Sequence, residues 1–190
     1  MNLSELGKKY GTDKVDDNHT LMGRNYCDVY DMWFDKKRDT VEKFVEIGIR
    51  GGHSLRMWKE YFPNAEIIGI DIDPNCKQHE GEYDILVDDG SHITKHQIKT
   101  FDCLYENCKS GGYYVIEDLG NSYEEVLNHH DIRRNWPGQD YNKPEDSLKN
   151  YRVEFNDFIK DKVINLDMHT SEKMSAIHHY PWIVIFENVE

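Results

Sequence analysis

The sequence predicts a single doubly wound α/β domain on a mostly parallel sheet, and three observations lead there. Short β-rich runs end in acid or glycine and alternate with stretches whose apolar residues recur at helical spacing. The run Phe44-Val45-Glu46-Ile47 breaks into Gly48, Gly51 and Gly52 and resumes as Leu55 to Phe62, which reads as strand, glycine turn and helix. At 190 residues without a shift of composition, residues 1–190 suffice for one substantial core and give no reason to divide it.

Taken in order, Leu3, Leu6 and Tyr10 space a short helix ahead of Gly11-Thr12-Asp13-Lys14. Tyr26, Tyr30, Trp33 and Phe34 again recur at helical spacing, and Trp33 and Phe34 are read as cover for one end of the sheet. The polar cluster Tyr10, Thr12, Asp13 and Lys14 stands where a segment can fold over a ligand, so 1–40 is read as an N-terminal helical lid. After the glycine turn, Glu66 to Asp73 is a second strand ending in acid. Asp71 falls about twenty residues after the turn, where a carboxylate can accept ribose hydroxyls.

Tyr83 to Asp89 is a third buried-strand pattern, followed by Gly90-Ser91-His92 and a helical stretch from Thr94 to Cys108. Gly111-Gly112 then leads into a strand over Tyr113 to Ile116 that ends in Glu117-Asp118. Residues 119–147, with Gly120, Pro137, Gly138 and Pro144, read as a long irregular connection of the kind that contacts substrate. Leu148, Tyr151, Phe155, Ile159 and Val163 mark a packed helix face. Ser175 to Tyr180 and Trp182 to Phe186 read as two strands joined at Pro181, the last closing the sheet antiparallel. His178-His179 is assigned to alternating strand positions rather than to a metal, and His129-His130 lies in the long connection.

A net charge of −13 repels polyanions, which disfavours nucleic acid and anionic membrane as partners and points to a small neutral or cationic one. Cys27, Cys76, Cys103 and Cys108 lack C-x-x-C spacing and are expected to be reduced and largely packed. The start Met1-Asn2-Leu3-Ser4-Glu5 has no secretory pattern, and no apolar run is long enough to span a bilayer. A soluble cytoplasmic chain is the expectation.

Ligands of open parallel sheets bind at the carboxyl ends of the strands, which brings Glu46, Asp71, Asp89, Glu117 and Asp118 to one rim. Converging carboxylates repel one another unless protons or a cation intervene, and a divalent metal is the economical explanation. Asp73 and Asp84 are read as solvated strand-end acids.

Glu46 directly before the glycines, with Asp71 on the next strand, resembles the class I S-adenosylmethionine-dependent methyltransferases. That resemblance puts Glu46 near the methionine end and Asp71 on the ribose, and assigns Gly48, Gly52, Ser54 and Asp88 to the cofactor as well. The fragments Leu6 to Lys14, Asp88-Asp89-Gly90-Ser91-His92, and Ile116-Glu117-Asp118-Leu119 with Ser122-Tyr123 narrow it. Together they resemble the metal-dependent macrolide-sugar O-methyltransferases, the mycinamicin and rhamnosyl type, and their cephalosporin hydroxylase-like relatives. The resemblance implies Asp89, Glu117 and Asp118 as ligands of Mg²⁺ or Mn²⁺ and His92 as general base. It implies methyl transfer from S-adenosylmethionine to a hydroxyl of a sugar or sugar-containing small molecule.

The chain departs from that family in one large respect. Between Asp71 and Tyr83 the family carries a further strand and flanking helices, whereas Asn75 to Glu82 is too short for a βα unit, whose crossover takes about a dozen residues or more. The sheet is therefore expected to be Rossmann-like but short of one edge βα unit, with one wall of the adenine pocket missing and a homo-oligomer as the means of covering the edge. Smaller departures are Asn121 before Ser122-Tyr123 and the spacing from His19 to Tyr26. The competing expectation is a non-catalytic metal- and sugar-binding module derived from a methyltransferase.

Overall fold

A computed structural model describes residues 1–16, 24–71, 81–122 and 151–189. Its strands are β1 (Lys43–Ile47), β2 (Glu66–Ile70), β3 (Tyr83–Asp88), β4 (Cys108–Ile116), β5 (Met174–Tyr180) and β6 (Ile183–Asn188). They form one six-stranded sheet in the order β2-β1-β3-β4-β6-β5. The first four pair in parallel, β6 runs antiparallel to β4, and β5 antiparallel to β6. This is the expected doubly wound sheet with its C-terminal antiparallel closure. Among the described residues β2 pairs only with β1, as the short Asn75 to Glu82 segment leads one to expect.

The helices are α1 (Leu3–Tyr10), α2 (Tyr26–Phe34), α3 (His53–Tyr61), α4 (Thr94–Leu104) and α5 (Tyr151–Asp167). Neighbouring residues of each strand feed opposite faces, the period-two geometry of a strand. Phe44, Ile85, Val87, Val115 and Ile185 join the core beneath α1, α2 and α3. Val45, Leu86, Tyr114, Ile116 and Phe186 join the one beneath α4 and α5. Burial on both faces is why these strands read as nearly continuous apolar runs. Local signals fix the N-terminal helices: Asn2 with Glu5, and Asn25 with Asp28, form capping boxes that satisfy the first amides of α1 and α2.

Several boundaries differ from the sequence expectation. The strand placed at Tyr113 starts at Cys108, because Gly111-Gly112 lies within it. The register against β3 jumps from Tyr83–Cys108 to Ile85–Tyr113. Gly111 has φ +68°, and a Cβ on Gly112 would stand 2.6 Å from the Asp84 carbonyl oxygen, so the glycines make a bulge rather than a turn. The helix from Thr94 ends at Leu104 and yields to a 3-10 turn, Tyr105–Asn107. Val163, expected on the packed face of α5, is 41% exposed, and Phe158 packs beside Phe155 instead. His178 sits in β5 with Nε2 2.9 Å from Glu187 Oε2 and Trp33 against its ring. Leu148, Cys76, His129-His130 and nearly all of the 119–147 connection lie outside the described residues. Among the described residues no helix is long and apolar enough to cross a membrane.

Candidate active site

The rim is assembled by backbone pairing beyond the strand ends. Gly48 donates its N–H to Ile70 O, Asp89 to Ile47 O and Glu117 to Asp88 O, so the segments after β1, β3 and β4 stay in lateral register. Gly48, at φ +85°, is required: a Cβ there would lie 2.0 Å from the Asp89 carbonyl oxygen. The glycine turn and the Asp89-Gly90 segment are thus in backbone contact, which binds one half of the rim to the other. Buried Gln97 of α4 donates from Nε2 to Glu117 O at 3.0 Å and holds the end of β4 from beneath.

At the centre of the rim is the ammonium of Lys14, 2% exposed. Its Nζ lies 2.7 Å from Asp89 Oδ2, 2.9 and 2.7 Å from the two Glu117 oxygens, and 3.3 Å from Glu46 Oε1. Burial alone would lower its pKa, but Asp89, Glu117 and Glu46 outweigh that and hold the amine protonated. Tyr30 donates its hydroxyl to Glu117, and Tyr26 donates to Asp118 Oδ1 at 2.7 Å. Burial raises both phenols and keeps them as donors. The sequence marks Lys14 for a lid, and Tyr26 and Tyr30 only as residues at helical spacing. Their spacing does place both tyrosines on one face of α2, but which acids they reach depends on how that helix crosses the sheet.

Asp89, His92 and Asp118 form a separate group, their ligand atoms all within 4.8 Å of one another. His92 Nδ1 is 3.4 Å from Asp118 Oδ2, and Nε2 is 3.9 Å from Asp89 Oδ1. Both His92 and Asp118 take the left-handed backbone conformation, φ +54° and +59°, uncommon outside glycine and concentrated where a fold over-determines a residue. Of the expected metal acids the structure brings Asp89 and Asp118 together with His92. It turns Glu117 to Lys14 and Tyr30 instead.

The expected cofactor residues line the neighbouring turn. Glu46 is fully buried and accepts from Ser54 Oγ at 2.7 Å. Asp71 Oδ2 accepts the backbone N–H groups of Ile49 and Arg50 at 3.0 and 3.3 Å, so this acid also shapes the turn. Gly52, at φ +68°, is the N-cap of α3, and a Cβ there would meet nothing within 4 Å among the described residues. Asp88 is buried, accepts Gly90 N–H at 3.2 Å, and is pushed by burial up to about 7. Hard oxygen and imidazole donors grouped within a few ångströms suit a divalent cation. The space at Gly52, at the N-terminus of α3, suits a nucleoside-type cofactor.

No protein-family model matches the chain. Among curated proteins it is 31% identical over 166 residues to L-olivosyl-oleandolide 3-O-methyltransferase of Streptomyces antibioticus, covering 72% of this chain and 39% of that protein. It is 33% identical over 166 residues to demethylmacrocin O-methyltransferase of Streptomyces fradiae, covering 72% and 38%. The chain thus spans about two fifths of the length of the curated relatives it matches. Among solved structures it superposes on the MycE methyltransferase of the mycinamycin biosynthetic pathway, in complex with Mg and SAH. The TM-score is 0.71 at 24% identity, over 100% of this chain and 55% of that one. The Podospora anserina methyltransferase PaMTH1, SAH-bound, matches at a TM-score of 0.54 and 12% identity over 100% of this chain and 88% of that one. The six-stranded order, the antiparallel closure and these likenesses agree: the chain is similar in sequence to macrolide-sugar O-methyltransferases over part of their length and has the class I methyltransferase fold.

Proposed function

We propose that the chain transfers a methyl group from S-adenosylmethionine to a hydroxyl of a sugar or sugar-containing small molecule, with Mg²⁺ or Mn²⁺ bound. The observation that carries this reading is the Asp89, His92 and Asp118 group standing beside the open glycine turn. Asp89 and Asp118 would hold the cation, and Gly48, Gly52, Ser54 and Asp71 would receive the cofactor, with Glu46 beneath Ser54. When bound, the cation supplies Lewis acidity for the acceptor hydroxyl, and the cofactor supplies the electrophilic methyl group.

His92 takes the hydroxyl proton. Nδ1 lies 3.4 Å from Asp118, whose carboxylate would stabilise the imidazolium that forms, and Nε2 is the accepting atom. Burial raises Glu46, Asp89 and Glu117 against the pull of Lys14, so a further cation at this rim would favour their ionised forms. Among the described residues Cys27, Cys103 and Cys108 are free, which fits a cytoplasmic setting.

Among the described residues β2 has no neighbour on its outer side, which supports a second reading, a binding module that keeps the cation and the sugar but transfers nothing. A second copy pairing along β2 is the arrangement that would supply the absent wall. The deciding experiment is methyl transfer to a panel of rhamnosides and macrolide glycosides with Mg²⁺ or EDTA, beside calorimetry with S-adenosylhomocysteine. Turnover with Mg²⁺ that falls a hundredfold or so in His92→Ala, at unchanged cofactor affinity, is expected. Sugar binding without cofactor binding would leave the module as the function.

A further inference from the structure

A cation of the chain's own, the ammonium of Lys14, stands among the acids of the rim. Around Lys14 Nζ stand Asp89, Glu117 and Glu46, carried on the segments that end β3, β4 and β1. Glu117 offers both oxygens, at 2.9 and 2.7 Å, as a chelating carboxylate does to an ion. Glu46 Oε1 is buried, has no hydrogen-bond partner and faces the ammonium at 3.3 Å. An ammonium has three hydrogens and no acceptor, and its bonds to Asp89 Oδ2 and the two Glu117 oxygens use all three, which leaves Glu46 as an ion-pair partner alone. The segment that delivers it is packed in place: a Cβ on Gly7 of α1 would stand 2.4 Å from Val15, and Thr12 caps the 3-10 turn Asp13–Val15.

Asp89 faces two ways. Its Oδ2 is on Lys14 and its Oδ1 faces His92 at 3.9 Å, on the side of Asp118. A divalent ion between Glu117 and Asp89 would therefore share Asp89 with an ion held by Asp89, His92 and Asp118, one oxygen to each. We propose that Lys14 is a built-in cation that occupies this second position, so the rim admits one divalent ion where its acids alone would admit two. Lys14 is in this sense a positioning residue: it commits Glu117 inward and leaves Asp89 and Asp118 to the exchangeable ion. The first ion rests on the reading given above; the second position does not.

The test counts ions. Full-length chain is stripped with EDTA, and bound Mn²⁺ is measured from the electron paramagnetic resonance of free Mn²⁺ in a titration of wild type, Lys14→Ala, Lys14→Arg and Lys14→Met/Glu117→Gln. Lys14→Ala should bind one more ion per chain than wild type. Lys14→Arg and the double variant should bind the same number as wild type, since one keeps the cation and the other removes a chelating acid. Equal counts in Lys14→Ala and wild type overturn the proposal. A wild type that binds no ion defeats the metal reading of Asp89, His92 and Asp118, while the difference of one still decides the role of Lys14. If Lys14→Ala is unfolded without metal, recovery of its circular dichroism on adding Mn²⁺ supports the proposal, and failure to recover overturns it.

Discussion

Glu117 and Asp118 are adjacent in sequence yet serve opposite sides of the rim: Glu117 binds buried Lys14 through both oxygens, and Asp118 lies 3.4 Å from His92. The left-handed backbone at Asp118 is what turns the second carboxylate away from the first.

Substituting these neighbours should therefore give opposite results. Asp118→Asn keeps an acceptor for Tyr26 and a residue type that tolerates the left-handed region, so metal-free stability should change by about 1 kcal/mol or less. Its stabilisation by Mn²⁺ should vanish, whereas wild type should gain about 2.7 kcal/mol at a hundredfold excess over Kd. Glu117→Gln leaves Lys14 short of a buried partner and should cost up to about 3–5 kcal/mol without metal, yet keep a response to Mn²⁺. Thermal unfolding with and without Mn²⁺ reads both, and identical behaviour of the two variants would defeat the division of roles.

The glycine turn gives a second contrast. Gly48→Ala drives a methyl group onto the Asp89 carbonyl at a positive φ, and a loss of about 3 kcal/mol or more is expected, with weaker binding of both metal and cofactor. Gly52→Ala has room and should cost only about 1–2 kcal/mol for its backbone. Its methyl group enters the space assigned to the cofactor, so S-adenosylhomocysteine affinity should fall at least tenfold in calorimetry. Unchanged affinity would move the cofactor off this turn.

The strands were legible because each carries its own signal: the first four are apolar runs that end in acid, and the interval after Asp71 is too short for another unit. The acids of the rim were legible for the same reason, since the carboxyl ends of parallel strands share one edge. Lys14, Tyr26 and Tyr30 were visible as residues but not as partners of those acids. Their roles depend on where α1 and α2 settle on the sheet, a matter of packing among Leu6, Cys27, Tyr30 and Trp58 that no local pattern encodes. The division between Glu117 and Asp118 turns on a single backbone dihedral, and an Asp after a Glu carries no sign of it.

The thiols should label in a fixed order among the described cysteines. Cys103 is exposed, Cys27 and Cys108 are buried, and burial pushes Cys108 up to about 12. At pH 8 that leaves roughly one part in ten thousand of Cys108 as the reactive thiolate. Iodoacetamide followed by peptide mass spectrometry should therefore find Cys103 modified in the native chain, with Cys27 and Cys108 modified only after urea. Early labelling of Cys108 would mean that α4 and the start of β4 are not packed as described.

Asp88 should make stability fall as pH rises. Its carboxyl is raised from 3.8 to about 7, chiefly by burial, against the opposing hydrogen bond from Gly90. Between those pH values the unfolded chain has released the proton and the folded chain still holds it, so the folded state binds more protons. The contribution is complete below about pH 4, is lost progressively as pH rises toward about 7, and is gone above it. Its slope is at most about 1.4 kcal/mol per pH unit. Asp88→Asn keeps an acceptor for the Gly90 N–H but has nothing to titrate, so it should gain on wild type across this window and be the more stable chain at pH 8. Urea unfolding in EDTA at several pH values from 5 to 8, with the wild-type curve subtracted from that of the variant, isolates this residue from the other buried acids. A difference that does not change with pH would mean that Asp88 is ionised in the fold, and that its neighbourhood is wetter than the burial against Tyr114 and β4 indicates.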